Sequence, residues 1–490
     1  MKKILFSILV IYSAHLSAQN KTAEKFAATI TPEDLKAKLS VIASADMEGR
    51  ETATQGQRKA ATYIENYFKQ LKLLPGDSGK YQMSFPVLQD SIESVSLKVN
   101  NETFVAGNDF TPNNNFPNGS FAITDIAFAG SGIKDSTQTN TDSVDVKDKW
   151  VLIVPPTDRA SMRSLNRKIM LMPQTGAKGL LIVSNNFPSK TYSAKGRMYL
   201  PSNDNNSFPV VFISKKIASS ILQTDTASIN ASLQPKLYSS NIQISLQKTT
   251  NHLQSTDVIG VLPGTDKKSE YVFVTGHYDH LGKQGDVIYY GADDDGSGTT
   301  SVLQIAQAFA AARDKGHLPR RTMVFMTVSG EEKGLWGSEY YTNHPVYNLD
   351  STSVDLNIDM VGRIDPERTY GDSTNYVYTI GEDKLSSDLL KTSDSINNAC
   401  CKLELDRKFN DPNDPNRFYY RSDHYNFASK GVPIIFYFNG THADYHKPTD
   451  TVDKINFDLM SKRVKLVFYT AWEMANRDAM LKRDIPLTQK

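Results

Sequence analysis

The chain has 490 residues, more than one ordinary hydrophobic core takes up, so two or three domains are expected. At 39% hydrophobic, 22% charged and 10% aromatic residues, the composition is that of a globular protein, not a disordered or fibrous one. Lys and Arg number 55 against 54 Asp and Glu, a formal charge of +1 without a clustered basic stripe, which argues against nucleic acid as a partner.

Lys2 and Lys3 precede an apolar run, Ile4 to Leu16, and a small-residue exit, Ser17-Ala18-Gln19. This reads as a secretory signal over residues 1–18 and predicts a periplasmic or secreted mature protein. The run is shorter than the roughly 20 residues a membrane span needs, and no later stretch is long and apolar enough, so stable membrane insertion is not expected. Glu33 to Leu74 is expected to be helical: Ala60, Ile64, Phe68 and Leu71 form one apolar stripe, ended by Pro75-Gly76. Between 105 and 237 the texture turns to Asn, Ser, Thr and Gly with short β-rich runs, Trp150–Val154, Gly179–Val183 and Pro209–Ile213, and a helix at about 161–174. This predicts a small β-rich domain inserted into a larger, discontinuous one comprising 19–104 and 238–490.

From about 255 onward strand and helix alternate. Strands are predicted at Tyr271–Thr275, Thr322–Thr327, Val354–Asp359, Asn375–Ile380 and Val432–Phe438, and helices at about 297–313, 335–343, 383–398 and 457–477. The fold class is therefore α/β: a mixed, mostly parallel sheet flanked by helices, with a small β-rich insert. Cys400 and Cys401 are adjacent and cannot staple distant segments; they read as thiols at a strand start.

In such sheets functional groups gather beyond the carboxyl ends of the strands. His277, Asp294, the pair Glu331-Glu332, Asp359 and His446 all follow or close a predicted strand, or precede a helix. Imidazole and carboxylate donors without cysteine suit zinc in catalytic sites, and a two-metal site needs a bridging carboxylate together with a free one to take a proton from water. Singly each residue is ordinary, since an Asp at a helix start is usually a cap. Asp293 and Asp295 are read as caps or solvated residues, and His252, His317, His344 and His442 as surface or core residues.

The stretches Gly276–Gly282, Gly291–Gly298, Ser329–Gly337 and Tyr445–Thr451 give the chain a resemblance, from about residue 30 to 475, to the co-catalytic di-zinc exopeptidases of metallopeptidase family M28. The resemblance implies a zinc-exopeptidase fold and two Zn2+ per chain, with peptides as substrates. His277 and Asp359 would hold one zinc, Glu332 and His446 the other, with Asp294 bridging. Glu331 would be general base, Asp279 would orient His277, and Tyr445 would either hydrogen-bond the developing oxyanion or simply pack. A cis peptide between Asp294 and Asp295 is implied as well, and His280 is placed as a neighbour, not a donor. Val146–Ile153, Gly176–Ile182 and Phe208–Ile213 resemble a protease-associated domain.

An exported aminopeptidase is the function this implies. A carboxypeptidase or dipeptidase on the same scaffold stays open, because Arg417 and Arg421 lie where a terminal carboxylate could be met. A glutaminyl cyclase or a receptor-like binding protein would also fit this scaffold. The loop Asn410 to Asn416 is read as a substrate wall or a plain surface loop.

Overall fold

The computed structural model describes residues 21–113, 116–132, 144–155, 169, 171–189, 193, 195–201 and 208–487. The expected signal segment and most of the helix expected at 161–174 lie outside them. The chain forms two compact units, Met1–Pro86 with Gln254–Lys490, and Val87–Leu253.

In the first unit helix α1 (Pro32–Ile42) starts where Thr31 accepts the Asp34 N–H at 3.1 Å, with proline in the first turn. The single helix expected over Glu33 to Leu74 is broken in two, while its apolar stripe lies on the second part. Helix α2 (Gln55–Gln70) carries Ala60, Ile64 and Phe68 on its buried face, but a 3-10 turn, Ala45–Arg50, precedes it. Glu48, Gly49 and Arg50 there have positive φ, which no continuous helix accommodates.

Then follow β1 (Lys267–His277), α3 (Gly298–Asp314), β2 (Arg321–Val328), α4 (Trp336–Asn343), β3 (Thr352–Ile358), β4 (Tyr376–Ile380), α5 (Leu389–Cys400), β5 (Glu404–Asp406), α6 (His424–Ser429), β6 (Ile434–Phe438) and α7 (Phe457–Asn476). The strand order is β5-β4-β6-β3-β1-β2, followed by the carboxyl-terminal part of the long strand Lys236–Leu262. The pairs β5/β4, β6/β3, β3/β1 and β1/β2 are parallel, while β4/β6 and β2 with Val258–Leu262 are antiparallel. Strands covered on both faces read as continuous apolar runs, and β2, β3, β4 and β6 are buried throughout. Side-chain alternation splits them between two cores: Val272, Val274, Met323 and Phe325 face one, and Phe273, Val324 and Met326 the other. Cys400 ends α5 and Cys401 follows it, so the thiols, both free, mark a helix end and not a strand start.

The second unit has its own cores. Gly119–Phe128, Trp150–Ile153, Gly179–Val183 and Val210–Ile213 pair in parallel in that order, with Phe110–Pro112 antiparallel on the last. Its boundaries lie outside the 105–237 read from composition, because Gln82–Val99 and Lys236–Leu262 are long strands whose residues belong to both units. No helix among the described residues is long and apolar enough to cross a membrane.

Candidate active site

The parallel strands end side by side, with His277 opposite Val328 in the β1/β2 register. His277 closes β1, Glu331 and Glu332 follow β2, Asp359 follows β3, and Tyr445 and His446 lie beyond β6. Asp294 comes from the irregular turn Ala292–Ser297 that enters α3, and its peptide bond to Asp295 is cis. Only a glycine fits at 298: a Cβ there would lie 2.2 Å from both the Ile358 carbonyl and an Asp295 oxygen.

The donors form two poles that share Asp294. At one, His277 Nε2 lies 3.3 Å from Asp294 Oδ1, 3.7 Å from Asp359 Oδ1 and 3.9 Å from Glu331 Oε2. At the other, His446 Nε2 lies 3.1 Å from both Asp294 Oδ2 and Glu332 Oε2. His280, which the sequence pattern places outside the set, faces the same carboxylates, with Nδ1 2.8 Å from Glu332 Oε1. The trios His277–Asp294–Asp359 and His280–Asp294–Glu332 each offer ligand atoms within 4.8 Å of one another.

The donors suit a pair of divalent cations. His277 Nε2, Asp294 Oδ2 and Glu332 Oε1 are buried without a hydrogen-bond partner, which is costly unless a cation binds them. Burial opposes charge on His277, but Glu331, Asp279, Asp294 and Asp359 outweigh it and hold the imidazole pKa well above its usual value. Burial likewise resists ionisation of Asp294, yet His277 and His446 keep its carboxyl well below the usual range. Burial pushes Glu331 well above its usual range; His277 pulls the other way, while the charges of Glu332 and Asp359 add to the rise. The absence of thiolates and the presence of oxygen and imidazole donors fit zinc.

A buried lattice of hydrogen bonds holds these side chains. Asp279 accepts from Thr52 Oγ1 at 2.7 Å and from the Glu331 N–H at 3.2 Å. Its main-chain oxygen is 3.1 Å from His277 Nδ1 and its carboxylate 3.6 Å away, so Asp279 does face the ring, chiefly through its carbonyl. Asp295 and Asp293 are not solvated. Asp295 accepts from the N–H groups of His277, Gly298 and Met360, while Asp293 accepts from Gly362 and lies 3.2 Å from His442 Nε2. Asp450 accepts from the N–H groups of Asp293 and Asp294. Ser422 donates to Asp359 Oδ2 at 2.7 Å.

Sequence pattern gives no sign of Arg50. Fully buried, it donates to the carbonyls of Ile42, Tyr278, Tyr290 and Gly291, joining the loop after His277 to the turn that carries Asp294. No local signal announces such a residue, since its partners lie up to 241 positions away.

Beside Glu331 a small cleft is lined by Met360, Phe418, Phe436 and Phe438, together with Arg421 and Tyr445. The Tyr445 ring stacks on His446 at 3.9 Å between centroids, and Arg421 donates to its hydroxyl at 3.3 Å. Arg417 and the loop residues Asn410, Asp411, Pro412 and Asp414 line a different cavity, with Tyr419 and Tyr425.

The fold and the paired donor groups define a candidate divalent-metal centre on an α/β sheet. Residues 257–471 match the model of Peptidase family M28. A probable zinc metalloprotease of Pyrenophora tritici-repentis is 28% identical over 262 residues, 46% of this chain and 52% of that protein. The chain spans about half the length of the curated relatives it matches. Two solved structures share the fold. An aminopeptidase from Aneurinibacillus sp. strain AM-1 has a TM-score of 0.57 at 19% identity, over 95% of this chain and all of that one. A zinc aminopeptidase from Bacillus subtilis has a TM-score of 0.55 at 20% identity, over 93% and 99%.

Proposed function

We propose that the chain is an exported, two-zinc aminopeptidase that removes amino-terminal residues from peptides. The observation that carries this is the division of Asp294: Oδ1 faces His277 and Asp359, Oδ2 faces His446 and Glu332, and Glu331 is left free beside them. His277 with Asp359, and Glu332 with His446, would hold the two metals, which when bound supply Lewis acidity toward a carbonyl and lower the pKa of water. Glu331 takes the proton of the attacking water and returns it to the leaving nitrogen. Tyr445 donates its hydroxyl to the carbonyl oxygen as charge develops there. Met360, Phe418, Phe436 and Phe438 favour an apolar terminal side chain. Export by the Lys2 to Leu16 segment and a protease-associated character of the Val87–Leu253 unit belong to the same proposal.

Arg421 in the cleft lining favours a second reading, in which the group recognised is a carboxylate, as in a dipeptidase or carboxypeptidase. A panel of aminoacyl-nitroanilides and N-acetylated counterparts separates the two. Cleavage of free-amine substrates alone is expected, with leucyl and phenylalanyl forms foremost, abolished by chelator and restored by zinc. Glu331→Gln should lower kcat by about 10²–10⁴-fold while still binding zinc. Silence on this panel, with cleavage of N-acylated peptides bearing a free carboxyl terminus, would establish the second reading instead.

A further inference from the structure

His280 has no role in the proposed mechanism, yet it is fully buried within the cluster. Its main chain is pinned: the N–H donates to the Arg50 carbonyl at 3.3 Å, and Glu51 pairs with it in an isolated bridge. The ring is therefore delivered to one place. There Nδ1 lies 2.8 Å from Glu332 Oε1 and 3.9 Å from Asp294 Oδ2, and the His280 and His446 rings stand 6.0 Å apart.

The 2.8 Å approach has the length of a hydrogen bond but not the alignment of one. Both ring nitrogens of His280 and Glu332 Oε1 are buried without an aligned hydrogen-bond partner. Two buried polar atoms this close without alignment, with Asp294 within reach of both, make a group that a shared cation would satisfy. A cation at about 2.0–2.2 Å from each donor would fit between them with a small opening, because adjacent ligand atoms around a four-coordinate ion lie about 3.3–3.6 Å apart. Asp294 Oδ2 and Glu332 are already at that pole through His446.

We propose that His280 is a ligand of the second metal, donating through Nδ1 as a fourth protein donor beside Asp294, Glu332 and His446. This rests on the two-metal reading above. Its consequence is an asymmetric pair. The pole of His277, Asp359 and Asp294 has three protein donors and one imidazole, and the other pole has four and two imidazoles. By the rule that catalytic zinc keeps an open position while a filled set binds more tightly, the His280 pole should hold its metal more firmly. The side chain of His446, 38% exposed, would be the mobile member of that pole and His280 the fixed one.

X-ray absorption of the zinc-loaded protein, together with zinc titration against a competing chelator, tests this without any substrate. The probe is zinc alone, on the full chain and on His280→Gln and His280→Ser. Wild type is expected to take up two zincs whose combined scattering requires three imidazoles. Each variant should retain the first zinc, fit two imidazoles and bind the second zinc at least 10-fold more weakly. Two imidazoles in wild type would overturn the assignment even if neither variant folds. So would a variant whose second zinc binds as tightly as in wild type. A weaker second zinc with an unchanged imidazole count would make His280 a support for Glu332 and not a ligand. Failure of wild type to take up two zincs would sink the two-metal reading itself.

Discussion

At the scale of single residues, the site is governed by how few of its charged groups meet water. Asp359 is held by Ser422, which in turn accepts from Asn357 Nδ2 at 2.9 Å. Such an outer hydrogen bond orients a ligand, and here it opposes the burial that raises the Asp359 pKa. Ser422→Ala is expected to weaken zinc binding by about 10–100-fold with the fold intact, read by chelator competition and circular dichroism. Arg50 does the equivalent for the main chain. Replacement by Met, of similar reach, would leave four carbonyls without their donor. Arg50→Met should cost at least about 3 kcal/mol in denaturant unfolding, since each buried polar group stripped of its partner costs about 1–3 kcal/mol. A loss under about 1 kcal/mol would show that water or a neighbour takes over those carbonyls.

At the scale of elements, the parallel strands carry the site because their carboxyl ends converge, and they also bury groups that have no catalytic part. Asp355 on β3 is fully buried, and burial pushes its pKa up to about 8. The Thr275 hydroxyl on β1 lies 2.8 Å from Asp355 Oδ1 and 2.9 Å from Asn357 Oδ1. That hydroxyl has one proton for two oxygens, so a protonated Asp355 supplies the second and completes the set. A carboxyl whose pKa is higher in the folded state stabilises fully below its unfolded value, near 4, and the contribution is lost as pH rises through about 8. Asp355→Asn, which keeps the shape and a donor, should therefore flatten the fall of Tm between about pH 4 and pH 8, the span of those two values. Parallel Tm profiles for wild type and variant would remove Asp355 as the cause.

At the scale of the molecule, every candidate metal donor belongs to the unit formed by Met1–Pro86 and Gln254–Lys490, while Val87–Leu253 has separate cores. Metal that binds only the folded state stabilises the unit that holds it. Calorimetry with and without chelator is expected to show one transition that moves down by several degrees and another that stays in place. A single transition shifting as a whole would mean that the two units unfold together.

How much of this the sequence carried follows from the range of each interaction. The strands β1, β2, β3, β4 and β6 and the helices α3, α4 and α7 were legible, because two-sided burial writes continuous apolar runs and helical stripes into local sequence. His277, Asp294, Glu331, Glu332, Asp359 and His446 were legible as a set because each sits at a strand end or helix entry, where local pattern marks the place. The tertiary structure alone decided the rest. Arg50, the buried roles of Asp293 and Asp295, the approach of His442 to Asp293, and the inward face of His280 depend on loops that meet across the fold. The break between α1 and α2 belongs with them: the positive-φ turn at Glu48, Gly49 and Arg50 sets the Arg50 side chain against carbonyls of distant loops. Periodicity records which face of an element is buried, whereas the identity of a buried side chain's partner is fixed by contacts hundreds of residues apart, which leave no local trace.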